Sequence, residues 1–183
     1  MALTLISTPL DITVSDTAVA TVSVTSGITS TYDSYQFHFV SMHPSADSKK
    51  MRMIASADSG SSYGIATTTT VFSAYHSEGD AGGTLEYNTS TDAEQSTSEV
   101  IIGDSTGNDA DQACSGIMTL YAPSSSTHVK HFMTKFHQSS GGDYSNLTIV
   151  GGYINTASAI DAIKFSFDSG NIDAGTIKMY GVK

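Results

Sequence analysis

Apolar and polar residues alternate with period two through most of this chain, the mark of strands that bury one face and leave the other wet. The clearest stretch is the last 21 residues, Ile163 to Lys183. There Ile163, Phe165 and Phe167 alternate with Lys164 and Ser166, and Ile177, Met179 and Gly181 alternate with Thr176, Lys178 and Tyr180. Asp168-Ser169-Gly170-Asn171 lies between the two arms, with Gly175 after it, and these residues accept turn and left-handed backbone. The pattern predicts two antiparallel strands joined by a long hairpin loop. A hairpin alone is marginal in water, so other strands must cover its apolar face.

The rest of the chain supplies them. Leu3 to Ser7 and Ile12 to Val14 are short alternations separated by Pro9, which suits a sheet edge or a strand end. Ala18 to Val24 sets Ala20, Val22 and Val24 on one face, and Tyr35, Phe37 and Phe39 form the strongest core strand of the first half. Met51 to Ala55, Ala66 to Tyr75, Val100 to Ile102, Gly116 to Tyr121, Val129 to His137 and Leu147 to Tyr153 read as further strands. Gly151-Gly152 marks a bulge or a close approach. Polar loops are expected at Ala57 to Gly64, Gly79 to Gly83, Thr89 to Ser98 and Gly103 to Gln112, with one helical turn around Ala93 to Gln95. Eight to ten short strands with almost no helix predict a single domain over residues 1–183, an all-β antiparallel β-sandwich of jelly-roll type. No repeat, heptad or collagen-like triplet is present, so no fibre shaft is expected.

At 183 residues the chain can bury roughly 70% of its unfolded surface without covalent staples. Its one cysteine, Cys114, has no partner for a disulfide within the chain. The first 15 residues show neither a basic flank nor a long apolar run, so neither a signal peptide nor a membrane span is expected. Net charge is -10, and no Lys or Arg falls between Arg52 and Lys130, where ten carboxylates from Asp58 to Asp111 lie. Such a field repels phosphate backbones and excludes nucleic acid as a partner.

Four patterns invite a chemical reading. Gly60-Ser61-Ser62-Tyr63-Gly64 matches a nucleophile elbow, but a run of threonines follows where the mechanism needs a helix, so it reads as chance. His128, His131 and His137 do not chelate from one strand, since His131 and His137 share a face about 20 Å apart at roughly 3.3 Å per residue. Asp104, Asn108, Asp109 and Asp111 concentrate hard oxygen ligands of the kind calcium takes. Their spacing is not that of an EF-hand, and a solvated acidic loop explains it as well, so the default is no cofactor, with calcium the alternative. Asn88-Thr89-Ser90 and Asn146-Leu147-Thr148 match the glycosylation triplet, which means little without secretion.

Three segments carry a resemblance: Ser30-Thr31-Tyr32-Asp33-Ser34-Tyr35-Gln36-Phe37-His38-Phe39, Val129-Lys130-His131-Phe132, and Ser169 to Ile172 with Gly175 to Lys183. With these the chain resembles small virion structural proteins of tailed bacteriophages, many from marine hosts. The ending is similar to those of phage tail-fibre and other surface virion modules. The resemblance implies a non-enzymatic β-sandwich on the outside of a virion, decorating the head. It would contact major capsid or tail proteins and copies of itself, with a trimer as the expected assembly. The alternative it implies is a tail-fibre or tail-knob module that binds a receptor or host surface glycan. It implies no catalytic residue and no membrane partner.

Overall fold

A computed structural model describes residues 3–12 and 17–183, so the expected strand at Ile12 to Val14 falls largely outside the described residues. Among those described there are thirteen strands and no helix. In chain order they are β1 (Leu3–Ile12), β2 (Thr21–Val24), β3 (Ser34–Pro44), β4 (Lys49–Ser56), β5 (Thr67–Ser77), β6 (Gly83–Tyr87) and β7 (Ala93–Ser96). Then follow β8 (Val100–Thr106), β9 (Cys114–Tyr121), β10 (Lys130–Ser140), β11 (Tyr144–Ile154), β12 (Ala162–Phe167) and β13 (Ile172–Val182).

The strands form a nine-stranded sheet, ordered β1-β13-β3-β9-β10-β11-β5-β6 with β7 also on β5, and a four-stranded sheet ordered β2-β12-β4-β8. Every pairing is antiparallel. Successive strands cross from one sheet to the other: β1 to β2, β2 to β3, β3 to β4, β4 to β5, β7 to β8, β8 to β9, β11 to β12 and β12 to β13. That alternation is the jelly-roll path: β1-β13-β3-β9 and β2-β12-β4-β8 are its two four-stranded halves, and β10, β11, β5, β6 and β7 widen the larger sheet beyond β9.

Between the sheets the aromatic rings meet. Phe165 of β12 lies edge-on to Phe37 (5.3 Å between centroids) and to Phe39 (5.0 Å), and Phe39 packs on Phe136 of β10 (4.9 Å). Met51, Met53, Met118 and Met179 fill the gaps around them and are buried. The predicted core face Tyr35, Phe37, Phe39 is buried as its alternation requires. Gly152 is a close approach and not a bulge: the β10-β11 ladder runs unbroken past it. An added Cβ there would come within 2.7 Å of the Phe132 ring and the Thr68 carbonyl.

Two expectations are corrected. The last two strands are not a hairpin: β12 pairs with β2 and β4 in the smaller sheet, while β13 pairs with β1 and β3 in the larger. Period-two alternation identifies a strand with a buried face, but two such strands facing each other across a sandwich give the same pattern as two side by side. The expected helical turn at Ala93 to Gln95 is strand β7. Its amides are captured by the threonine row of β5, Ala93 N–H donating to Thr69 Oγ1 (2.8 Å) and Gln95 N–H to Thr68 Oγ1 (3.2 Å).

Candidate functional site

The two faces of the larger sheet differ. On the outer face β3, β9, β10, β11 and β5 align His38, Ile117, Lys135, Ile149 and Phe72 in one cross-strand row. Tyr87 of β6 continues that row from Phe72. None of those five strands contains an Asp or Glu. Large apolar side chains stand exposed on this face, among them Val40, Ile117, Phe72, Met133 at 53% and, on β6, Leu85 at 79%. Between β3, β9 and β10 the surface dips into an apolar hollow of about 380 Å³, with Val40, Ile117 and Leu147 beside His38, Lys135 and His137. His131 and His137 both point outward from β10 and are exposed.

The inner face changes character along the strands. On β10 it reads Phe132, Thr134, Phe136, Gln138, Ser140; on β11 it runs from Ile154 and Val150 to Thr148 and Asn146; on β5 Val71 stands between Thr67 and Thr69 on one side and Ser73 and Tyr75 on the other. β10 and β11 turn polar at the same end of the sandwich, beneath β8 and past its edge, where β5 contributes Ser73. Thr148 Oγ1 there accepts from the Asp104 amide (3.3 Å) and from Gln138 Nε2 (3.2 Å), and Thr134 Oγ1 donates to the Ile102 carbonyl (3.0 Å).

At that end a cavity of about 320 Å³ opens between β5, β6, β8 and the β10-β11 hairpin. Asp104 lines one wall, its carboxylate held by Lys50 Nζ (3.3 Å) and by the Nδ2 of Asn88 (3.3 Å). Glu86 of β6 lines another. Tyr75 and Tyr144 meet edge to face over it (5.6 Å between centroids), both partly exposed. Asn146 is 7% exposed and Ser73 3%, yet Asn146 Oδ1 and Ser73 Oγ have no hydrogen-bond partner.

The four candidate calcium ligands separate. Asp104 is buried on β8 facing Lys50 and Asn88, whereas Asn108, Asp109 and Asp111 lie on the turn after it. That turn is tied down by its backbone: Gly107 N–H donates to the Ser139 carbonyl, and His43 joins the Asp109 carbonyl (3.2 Å) to the Asp173 carboxylate (2.6 Å). Among the described residues no three His, Cys, Asp or Glu side chains converge as a metal site. Ser62 of the elbow-like pentad donates its hydroxyl to Asp58, and a strand, β5, follows it. These hydrogen bonds from Ser56 and Ser62 hold the Asp58 carboxyl down at about 2. Cys114 is buried, and burial pushes its thiol up to about 12. Tyr75, Glu86, Tyr144 and the two triplet asparagines, Asn88 and Asn146, converge without any motif in the sequence. The loss of apolar character toward one end of both β10 and β11 was the available sign. No protein family, curated protein or solved structure matches the chain.

Proposed function

We propose that this chain is a non-enzymatic structural protein of a tailed-bacteriophage virion, a surface decoration of the head that assembles with copies of itself, as a trimer, over the capsid protein beneath. The observation that carries the assembly is the outer face of β3, β9, β10, β11 and β5, five adjacent strands that contain no Asp or Glu. Copies that each carry -10 repel one another, so their contact belongs on the surface from which negative charge is missing. Val40, Phe72, Ile117 and Met133 provide exposed apolar area there, and Lys135 leaves that face with no negative charge to desolvate. The acidic segment from Asp58 to Asp111 then stays in solvent. The compact single domain and the jelly-roll path accord with a shell component, and the three segments of resemblance point to the particle surface.

Two measurements test this. Light scattering of the isolated chain should give a trimer mass that Ile117→Asp and Met133→Glu each reduce to the monomer, with the circular dichroism spectrum unchanged because both side chains are exposed. Mass spectrometry of purified particles should find the chain at a copy number comparable to the major capsid protein; a copy number far below it would overturn the head assignment.

A further inference from the structure

We propose that the cavity between β5, β6, β8 and the β10-β11 hairpin binds a neutral saccharide, a function separate from self-assembly and located on the opposite face of the larger sheet. Among the described residues six buried side-chain atoms lack a partner, and the starting point is the two that belong to residues of this cavity, Asn146 Oδ1 and Ser73 Oγ. Folding rarely leaves such groups orphaned in a buried place, because each loses its water without replacement. Both residues line the same cavity, and a ligand seated there would supply the missing partners.

The chemistry of that ligand follows from what the walls offer. Asn146 Oδ1 and the Glu86 carboxylate accept only, and Asp104 keeps acceptor capacity beyond its bonds to Lys50 and Asn88. A matching ligand must therefore be rich in donors, as a set of neighbouring hydroxyls is. Glu86 makes no ion pair among the described residues, so the cavity is negative and rejects phosphates, sulfates and acidic sugars. A calcium ion would have to draw most of its oxygens from neutral groups beside the two carboxylates, and the calcium arm of the test below separates that outcome from sugar binding. Tyr75 and Tyr144 complete the match. Their edge-to-face arrangement presents ring surface to the cavity, against which the C–H face of a pyranose packs while its hydroxyls reach the acceptors. The volume, about 320 Å³, is at the small end of the roughly 300–1,000 Å³ of ligand pockets and suits one or two sugar rings.

The test uses the full chain on a glycan array, followed by titration of the bound glycan against isotopically labelled protein in the presence of a chelator. Binding of a neutral glycan is expected, with resonance shifts centred on Tyr75, Tyr144 and Asn146. Glu86→Gln and Tyr75→Ala, both at exposed positions, should keep the circular dichroism spectrum and lower affinity about tenfold, the size of one lost contact. Asn146→Ala should abolish binding. A blank array overturns the proposal, as does a glycan whose affinity ignores both Glu86→Gln and Tyr75→Ala. Shifts at these residues produced by calcium alone, with none from any sugar, would overturn it in favour of a cation site.

Discussion

Phe136 and Gln138 stand two residues apart on β10 and point into the same space between the sheets, yet their surroundings are opposite. Phe136 is covered by Phe39 and backed by β12 through Phe165, where both sheets are present and apolar. Gln138 is as fully buried as Phe136 and, like it, lies beneath Gly103 of β8, but it stands toward the end lined by Ser140, Thr148 and Asn146. Its Nε2 reaches Thr148, but its Oε1, like Asn146 Oδ1 and Ser73 Oγ, has no partner. Four strands cannot cover nine. The larger sheet therefore extends past the edge of β8, and the cavity opens there beside buried polar side chains. Stability is therefore concentrated in the aromatic middle, and the proposed saccharide site lies at the polar end.

The largest break in this comparison is removal of Lys178 to Lys183. β13 lies between β1 and β3, so the truncation strips ladder partners from both and deletes Met179 and Val182 from the buried core. With only about 5–15 kcal/mol of net stability in a typical domain, the truncated chain should fail to fold. A cooperative melt at the parent temperature would show that β13 is dispensable.

A matched pair of substitutions comes next. Phe165→Ala should cost about 3–5 kcal/mol, because it empties the contact between the sheets. Ser73→Ala at the polar end should change stability by less than about 1 kcal/mol, since it deletes a hydroxyl that makes no bond. Urea unfolding of both variants measures the contrast, and equal losses would remove the distinction between the two regions.

The smallest effect comes from the opposite end of β10, where a polar group is buried but satisfied. Lys130 is fully buried and its Nζ donates to the carbonyls of His128 (2.8 Å) and Thr156 (3.0 Å). Burial holds its ammonium below the ordinary 10.5. The unfolded chain then binds the proton more tightly than the folded one, so stability rises with pH from the folded-state value up to 10.5. Lys130→Met should flatten that rise in melting curves taken across the alkaline range. An unchanged pH profile would mean that the lysine is solvated in the folded state.

Much of the fold was legible because a half-buried strand must alternate. Tyr35, Phe37 and Phe39, Ile177 and Met179, and Pro9 on the edge strand β1 all take the positions their pattern requires. Partner choice was not legible. β12 and β13 read as one hairpin and belong to different sheets, and Ala93 to Ser96 joined β5 because a row of threonines offered its amides acceptors. Those outcomes depend on contacts between residues far apart in sequence, which no local period encodes. Charge segregation was half legible: the ten carboxylates between Arg52 and Lys130 are countable, but only the sheet order puts the five acid-free strands side by side. The cavity needed still more. Ser73, Glu86, Asp104 and Asn146 come from four strands, and what brings them together is the place where the smaller sheet stops covering the larger. Alternation along the chain determined which residues face inward, and the unequal widths of the two sheets decided which of those inward faces became core and which became a site.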